Sequence, residues 1–220
     1  MVKVTGGQRL DIFGIRKEDL PAVWADLNAA GMVSGHAYGK SIRTVKTCVG
    51  SEFCRFGTQN STQMGIDLEH ALFNMWSPHK VKLAVSGCPR NCAEAGIKDV
   101  GIIGVDSGWE LYIGGNGGIK TEAGEFFVKV KSAEEVMEYS LAFLQLYREE
   151  AFYLERTVHY LQRVGMDHIK QAVLNDAERR KALHQRLLFS LSFEQDPWQE
   201  QLSKPQLKKE FDRIAVKQLE

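Results

Sequence analysis

Residues 81–92 read VKLAVSGCPRNC, a short strand that runs directly into a pair of cysteines. Apolar and polar side chains alternate at the start of this stretch, which is typical of a strand with one buried face. The strand leads through Gly87 into Cys88, and Cys92 follows after three residues. The stretch therefore predicts a sheet in which one strand ends at a two-cysteine loop.

The chain has four cysteines, and they form two close pairs. Five residues separate Cys48 from Cys54, three separate Cys88 from Cys92, and 33 residues lie between the pairs. Four thiolates from two loops suit a tetrahedral zinc ion or an iron–sulfur cluster. Zinc sites more often use two-residue spacings, so the unequal gaps favour a [4Fe–4S] cluster. Zinc and buried structural cysteines remain the alternatives.

Small and basic residues flank the cysteines. Gly50, Gly87 and Pro89 are small or rigid, so the backbone can approach a cluster and donate N–H groups to its sulfurs. Four cations lie close to the cysteines in sequence: Arg43, Lys46, Arg55 and Arg90. Basic residues usually form a solvated surface, but here they would also offset the negative charge of a four-thiolate cluster. They can in addition hold an anionic cofactor or substrate.

Two helices are predicted before the second cysteine pair. Residues 3–13 alternate loosely and predict a strand closed by Gly14, after which a helix runs to Gly31. A second amphipathic helix is expected after the first cysteine pair, stopped by Ser77-Pro78. Its apolar stripe comprises Met64, Leu68, Leu72 and Trp76.

Strands are expected after the second cysteine pair, and helices in the last third of the chain. The strands are predicted around residues 99–105, 109–114 and 126–130. A capping box at residues 132–135 predicts a helix start, and the helical pattern beyond residue 150 breaks at Gly165 and Asp196-Pro197. The apolar face of the capped helix uses Val136, Leu141, Leu144 and Tyr147.

The predicted fold class is α+β, because strands and helices do not alternate regularly enough for a doubly wound sheet. We expect a mixed or antiparallel sheet with helices on its faces, followed by a C-terminal helical extension. The last twenty residues are polar and predict a loosely attached tail.

Composition indicates a soluble protein without a strongly charged partner. The 28 basic and 28 acidic residues leave no formal net charge, so no bulk field favours nucleic acid or an anionic membrane. The start lacks an apolar signal segment, and no apolar run is long enough to cross a bilayer. We expect a cytoplasmic protein. In that reducing compartment, metal ligation explains four cysteines better than disulfides do.

The cysteine loops resemble those of the sirohaem-containing sulfite and nitrite reductases. Residues 85–95, VSGCPRNCAEA, with 98–101, KDVG, look like the second half of that family's cysteine motif. Residues 109–116, WELYIGGN, look like its strand and Gly-Gly-Asn turn. Within the family, the large subunits of NADH-dependent nitrite reductases are the most similar, through residues 34–40, 43–51 and 143–150. The similarity covers residues 2–200.

The resemblance implies a chemistry for these residues. In the family, four cysteines bind a [4Fe–4S] cluster and the last one also ligates the iron of sirohaem, where nitrite is reduced to ammonium with six electrons. Carried over, the cluster ligands are Cys48, Cys54, Cys88 and Cys92, and Cys92 is the bridging, catalytic cysteine. Sirohaem carries many carboxylates, so cationic and polar donors must surround it. The candidates are Arg43, Lys46, Arg55, Arg90 and Asn91.

The sequence departs from the family in its extent. Full sirohaem reductases contain two related halves, whereas this sequence shows the end of a ferredoxin-like half-domain (1–31), one sirohaem and cluster-binding domain (32–150) and a helical extension (151–220). FAD and a [2Fe–2S] cluster are expected only in upstream domains that this sequence lacks. The expectation is a fragment or split-gene product. It would depend on an NAD(P)H-oxidising flavin domain or subunit, and a small nitrite reductase subunit is a further candidate partner.

Three other functions stay open from the sequence. A segment of a sulfite reductase haemoprotein is the nearest, because sulfite and nitrite are both small oxyanions served by the same cofactor pair. An iron–sulfur electron-transfer module without sirohaem is the second, because half of the sirohaem pocket would be missing. A zinc-stabilised structural module is the third and the most remote.

Overall fold

The computed structural model describes residues 1–204, 206 and 209–211. Within that part of the chain, the residues group into two compact units: residues 1–35 together with those from 195 onward, and residues 36–194. The larger unit contains the four cysteines. Residues 151–194 belong to the same unit as the cysteine loops, and the three-part division at residues 31 and 150 stays a prediction. Most of the predicted tail lies outside the described residues.

The described residues form short strands and mostly short helices. The strands are β1 (Val2–Val4), β2 (Leu10–Ile12), β3 (Lys46–Thr47), β4 (Leu83–Ser86), β5 (Val100–Val105), β6 (Gly108–Ile113), β7 (Asn116–Gly117), β8 (Thr121–Glu122) and β9 (Glu125–Val130). The helices are α1 (Leu20–Ala29), α2 (Gly50–Phe53), α3 (Ser61–Leu72), α4 (Ala133–Glu150), α5 (Thr157–Val164), α6 (Met166–Lys170), α7 (Ala177–Leu191) and α8 (Pro197–Ser203). Shorter helical turns lie at Lys17–Asp19, Ala95–Ile97, Gln171–Asn175 and Lys209–Phe211.

The larger unit is built on one mixed sheet, which in the described residues has the order β3-β4-β5-β6-β9. β3, β4 and β5 are parallel, with Thr47 opposite Val85 and Ser86 opposite Ile103. β6 and β9 run antiparallel to their neighbours. The sheet is therefore mixed and helices pack against it, which confirms the predicted α+β class.

Helix α4 supplies a large part of the core. Ser132 accepts the N–H of Glu135 at 3.2 Å and donates its own N–H to the Glu135 carboxylate at 3.2 Å, which confirms the predicted capping box. The four apolar residues predicted to face inward are all fully buried: Val136, Leu141, Leu144 and Tyr147. Burying one such side chain stabilises the fold by about 1.5–3 kcal/mol.

Helix α3 is shorter than its apolar stripe predicts. Met64, Leu68 and Leu72 are buried, as expected. The prediction for Trp76 is wrong, because the helix ends at Leu72 and Trp76 lies beyond it with 43% of its surface exposed. The backbone gives the reason: Asn74 has a φ of +62°, and this left-handed residue turns the chain before Ser77-Pro78 is reached.

A buried polar junction fixes the start of β5 to the start of α5. The Asp99 carboxylate accepts the N–H of Lys82 at 2.8 Å and the guanidinium of Arg156 at 3.1 Å. The Thr157 hydroxyl also donates to it. Asp99 and Thr157 are fully buried, so this network holds the sheet and the C-terminal helices together.

The smaller unit begins with a hairpin where the sequence predicts one continuous strand over residues 3–13. β1 and β2 pair antiparallel, and the Thr5 N–H donates to the Arg9 carbonyl at 2.9 Å across the turn. The prediction is wrong because the chain reverses after Thr5, where Gln8 has a left-handed φ of +58° and its N–H donates to the Thr5 carbonyl at 3.0 Å. The predicted helix is confirmed as α1, and Gly31 follows its end with a φ of +77°.

The second part of the smaller unit is tied to the first by Asp196. Its carboxylate accepts the N–H of Ser34 at 2.8 Å and the side-chain amide of Asn28 at 3.2 Å. Pro197 then opens α8, so the predicted break at Asp196-Pro197 is confirmed. Among the described residues, no helix combines the length and the apolar character that a membrane span requires.

Candidate metal centre

The two cysteine loops begin at the same end of the sheet. Cys48 follows β3 directly, and Cys88 comes two residues after β4. Because β3 and β4 are parallel, their carboxyl ends lie side by side. The Cys48 N–H donates to the Val85 carbonyl at 3.2 Å, which continues the strand pairing into the first loop. The sheet topology therefore brings two segments together that are 33 residues apart in the sequence.

Gly87 joins the two loops through both of its backbone groups. Its N–H donates to the Cys48 Sγ at 3.1 Å, and its carbonyl accepts the N–H groups of Thr58 at 2.8 Å and Gln59 at 3.0 Å. The Gly87 N–H is thus directed at a cysteine sulfur, and donation of such groups to a cluster stays a prediction. A Cβ at this position would lie 2.7 Å from the Gln59 carbonyl oxygen and 2.9 Å from the Gly50 Cα, so only glycine fits.

The first loop is tightly wound around α2. The Cys54 N–H donates to the Gly50 carbonyl at 3.0 Å, and the Gly57 N–H donates to the Cys54 carbonyl at 2.9 Å. Gly50 has a φ of +64°, a left-handed conformation that glycine adopts without steric cost. A Cβ on Gly57 would lie 2.6 Å from the Gly50 carbonyl carbon. Two glycines thus allow the turn that returns the chain past Cys54.

The Cys48 sulfur lies among several hydrogen-bond donors. The buried Ser61 hydroxyl lies 3.2 Å from its Sγ and 3.0 Å from its carbonyl oxygen. Burial by itself raises the pKa of the Cys48 thiol, but hydrogen bonds from Ser61 and from the N–H groups of Gly87 and Gly50 outweigh it and lower the pKa below its usual value. The thiolate, which is the form that binds metals, is therefore favoured.

The four cysteines differ in exposure. Cys88 is buried, Cys48 and Cys54 are half-buried, and Cys92 is exposed. In the described part of the chain, no three side chains of His, Cys, Asp or Glu converge as the ligands of a single metal ion do. A tetrahedral zinc ion needs its thiolates about 2.3 Å from one centre. In a [4Fe–4S] cluster each thiolate binds a different iron, so the four sulfurs need not lie within bonding distance of one atom.

Asn91 has a structural position in the second cysteine loop. Its φ is +55°, and its side-chain oxygen accepts the Ser86 hydroxyl at 3.2 Å and the N–H of Gly96 at 3.3 Å. The Asn91 N–H donates to the Cys88 carbonyl at 3.1 Å. These bonds shape the turn between Cys88 and Cys92. Contact of Asn91 with a cofactor stays a prediction.

Two of the predicted cations meet on one aromatic ring. The guanidinium carbons of Arg55 and Arg90 lie 4.5 Å and 3.9 Å from the centroid of the Phe56 ring. Arg55 follows Cys54 and Arg90 precedes Cys92, so the ring links the two loops by cation–π contacts. Sequence reasoning did not single out Phe56; an aromatic residue after Cys54-Arg55 was the available signal.

The other two predicted cations are placed differently. The Lys46 ammonium lies 3.0 Å from the Glu94 carboxylate, which the Lys98 ammonium also contacts at 3.1 Å. Hydrogen bonds from Lys46 and Lys98 lower the pKa of Glu94. The Arg43 N–H donates to the Val81 carbonyl at 2.8 Å, next to the start of β4 and five residues before Cys48. This bond fixes the Arg43 backbone three residues before β3, and contact of its side chain with a cofactor stays a prediction.

Comparison with known proteins decides the family. Residues 38–181 match the nitrite and sulphite reductase 4Fe-4S domain, which is about two thirds of the chain. This protein belongs to that family. Membership supports an iron–sulfur cluster in the chain, and the matched region contains both cysteine loops and all five strands of the mixed sheet.

Relatives within the nitrite and sulphite reductase family include proteins of very different length. The chain is 58% identical over 98% of its length to a nitrite reductase [NAD(P)H] of Bacillus subtilis, of which it spans 26%. A nitrite reductase [NAD(P)H] large subunit of Klebsiella oxytoca is 43% identical, and the chain spans 22% of it. An assimilatory-type sulfite reductase of Nitratidesulfovibrio vulgaris is 33% identical over 79% of this chain and 78% of its own length.

Solved structures show the same fold. A dissimilatory sulfite reductase I structure superposes with a TM-score of 0.69 at 13% identity, over 78% of this chain and 61% of that one. The NirA protein of Mycobacterium tuberculosis superposes with a TM-score of 0.68 at 19% identity, over 79% of this chain and 35% of that one. The mixed sheet with its helices is thus the family fold at low identity.

Proposed function

We propose that this chain is the sirohaem and [4Fe–4S] module of a nitrite reductase that converts nitrite to ammonium with six electrons. The observation that carries the proposal is the meeting of the two cysteine loops, in which the Gly87 N–H donates to the Cys48 sulfur at 3.1 Å. The 58% identity to a nitrite reductase over nearly the whole chain supports the choice of substrate. The chain spans about a quarter of that relative, so the activity is proposed for the complete enzyme.

Four cysteines would hold the cluster: Cys48, Cys54, Cys88 and Cys92. Cys92 is the proposed shared ligand to sirohaem, and its exposure supports this role because an exposed sulfur is accessible to a second cofactor. When bound, sirohaem supplies an iron atom with an open face for a small oxyanion, and the cluster supplies electrons one at a time.

The backbone and Ser61 would tune the site. Hydrogen bonds to ligating sulfurs offset the negative charge of a thiolate cluster and so affect its reduction potential. Gly87 donates such a bond to Cys48, and the Ser61 hydroxyl lies 3.2 Å from the same sulfur. Both donors contact the first ligand, Cys48.

Arginine side chains would bind the anionic groups. Arg55 and Arg90 both lie against Phe56, which limits the freedom of their side chains beside Cys54 and Cys92. A guanidinium held in this way can bind a carboxylate through two parallel hydrogen bonds. Arg43, Lys46 and Asn91 are the remaining candidates; of these, Lys46 contacts Glu94, and the Asn91 side chain accepts hydrogen bonds within its own loop.

Sulfite reduction is the second candidate. The chain spans 78% of an assimilatory-type sulfite reductase at 33% identity, the largest share of any relative given above. Nitrite is preferred because the relatives with higher identity, 58% and 43%, are named nitrite reductases. An iron–sulfur electron-transfer module without sirohaem remains the third candidate.

Electron supply is proposed to come from outside these 220 residues. The two relatives named nitrite reductase [NAD(P)H] support a nicotinamide donor. We propose that an NAD(P)H-oxidising flavin domain or subunit, with FAD and a [2Fe–2S] cluster, delivers the electrons in the cytoplasm, and that a small nitrite reductase subunit is a further partner.

Absorption spectroscopy tests the proposal. The chain is purified anaerobically and reconstituted with iron and sulfide, then supplied with sirohaem. We expect a broad iron–sulfur shoulder and, with sirohaem, weak Soret and long-wavelength bands of an isobacteriochlorin, because full sirohaem reductases build the pocket from two related halves. Cys92→Ser is expected to lose the sirohaem bands, while Glu122→Gln, outside the site, keeps them. A shoulder without sirohaem bands would favour the electron-transfer module. A colourless protein with stoichiometric zinc would contradict both readings.

A further inference from the structure

Two lysines and one glutamate form a charged cluster two residues from the exposed cysteine. The ammonium groups of Lys46 and Lys98 lie 3.0 Å and 3.1 Å from the same oxygen, Oε2 of Glu94. Lys46 belongs to β3, and Lys98 lies two residues before β5. Two elements of the sheet region therefore present ammonium groups at one point near Cys92.

The two lysine side chains of this cluster are less exposed than the glutamate side chain. The Lys98 side chain is 11% exposed, that of Lys46 is 26% exposed and that of Glu94 is 57% exposed. The cations form the floor of the cluster, and the carboxylate covers them from the solvent side. A largely buried ammonium needs an anion beside it, because desolvation without a partner is costly. Any group that replaces the Glu94 carboxylate must therefore also be an anion.

Glu94 is the most exposed member of the cluster. It lies outside the sheet with a φ of +58°, a left-handed conformation that is uncommon for residues with a side chain. Ion pairs with such an exposed partner contribute little to stability, since water screens them. A ligand anion can compete with this carboxylate, because it would make the same charge-assisted hydrogen bonds.

We propose that Lys46 and Lys98 form an anion-binding subsite for a carboxylate or small oxyanion, which Glu94 occupies until the incoming anion displaces it. The proposal rests on the proposed function, which places an anionic cofactor and an anionic substrate beside Cys92. It explains why a lysine that the sequence assigns to an anionic cofactor is paired with a residue of its own chain. Glu94 then acts as an internal competitor that keeps the ammonium groups neutralised while no external anion is bound.

Thermal unfolding of the complete chain tests this subsite. Glu94→Gln removes the competing charge, so anions should stabilise this variant more than the wild type. Sodium acetate and sodium nitrite serve as separate probes, with chloride replaced so that ionic strength stays constant. At a concentration ten times the dissociation constant, binding should raise Tm by about 3–6 °C. The wild type should show less than half of that rise at the same concentration.

Two further variants serve as controls. Glu122→Gln removes the same charge from another lysine–glutamate pair, Lys120–Glu122 at 2.8 Å, and should respond as the wild type does. Lys46→Met combined with Glu94→Gln should lose the added stabilisation, because one ammonium is gone. If acetate alone raises the Tm of Glu94→Gln, the subsite is assigned to cofactor carboxylates. If nitrite raises it, the subsite is assigned to the substrate.

The proposal would be overturned by equal responses of Glu94→Gln and Glu122→Gln, or by a full response in the double variant. Iron and sulfide are counted in the same samples. A full cluster with no anion effect would reject the subsite alone, whereas absence of the cluster would reject the proposed function.

Discussion

Two carboxylates only five residues apart, Glu94 and Asp99, both bind basic side chains but in opposite surroundings. The side chain of Asp99 is 1% exposed, and it accepts hydrogen bonds from Lys82, Arg156 and Thr157. The side chain of Glu94 is 57% exposed and is held by two lysine side chains. Partners from separate elements enclose the Asp99 carboxylate. The Glu94 carboxylate is exposed to water and can exchange its lysine partners for water or ions.

The difference separates the part of the molecule that maintains the fold from the part that is proposed to bind ligands. Removing one partner from a buried ion pair leaves a charge that neither water nor another group can neutralise. An exposed pair can exchange partners at little cost. The end of the sheet that carries the two cysteine loops contains both buried and exposed residues. Gly87 and Ser61 are buried, whereas Cys92 and Glu94 are exposed to solvent.

Disrupting the buried hydrogen-bond network around Asp99 should have the largest effect on stability. Asp99→Asn keeps the shape of the side chain but leaves Arg156 without its carboxylate, and should lower the free energy of unfolding by about 3–5 kcal/mol. Urea unfolding followed by tryptophan fluorescence measures this change. Glu94→Gln is the matched control and should lower the same quantity by less than Asp99→Asn does, because the Glu94 side chain is 57% exposed, although Lys98 also loses its carboxylate partner. Equal losses of unfolding free energy in the two variants would contradict the expected difference between the buried Asp99 and the exposed Glu94.

A methyl group at Gly87 should have the next largest effect. Gly87→Ala places a Cβ 2.7 Å from the Gln59 carbonyl oxygen, so the two cysteine loops must move apart. We expect a loss of about 1–3 kcal/mol in stability, together with lower iron and sulfide content after reconstitution. Gly39→Ala is the control, because nothing lies within 4 Å of its added Cβ. Normal cluster content in Gly87→Ala would show that this contact between the loops is dispensable.

Removing the Ser61 hydroxyl should have the smallest effect. In the iron-free chain, Ser61→Ala should raise the pKa of the Cys48 thiol, because a hydrogen bond to the thiolate is lost. A hydrogen bond is worth about 1 kcal/mol, so alkylation of Cys48 at neutral pH should slow roughly fivefold. Mass spectrometry of the iodoacetamide-treated chain resolves the rate at this cysteine. Ser51→Ala is the control, and an unchanged rate in Ser61→Ala would contradict the polarisation of the Cys48 sulfur.

Much of the fold follows from local sequence signals. The capping box at Ser132, the break at Gly165 and the strands near β5, β6 and β9 are where the patterns predict them. These signals act within a few residues, so they can be recognised without tertiary information. Trp76 was misplaced because the left-handed turn at Asn74 overrides the helical spacing, and spacing alone does not predict that turn.

The candidate site was only partly predictable. Cysteine spacing and the adjacent Gly87 indicate a cluster, because both features are local in the sequence. The pairing of Lys46 with Glu94 and the placement of Ser61 beside Cys48 depend on the parallel register of β3 and β4. No local pattern encodes contacts of this kind between distant segments. Asn60-Ser61, a helix-start signal, was the available clue for Ser61.

The metal and sulfide content of the anaerobically reconstituted chain tests the assignment of a [4Fe–4S] cluster to the four cysteines. We expect four iron atoms and four acid-labile sulfides per chain, because one cluster would use all four cysteines. Cys88→Ser, which removes the buried ligand, should lose most of both. One zinc ion per chain without sulfide, or unchanged iron and sulfide in Cys88→Ser, would contradict the account.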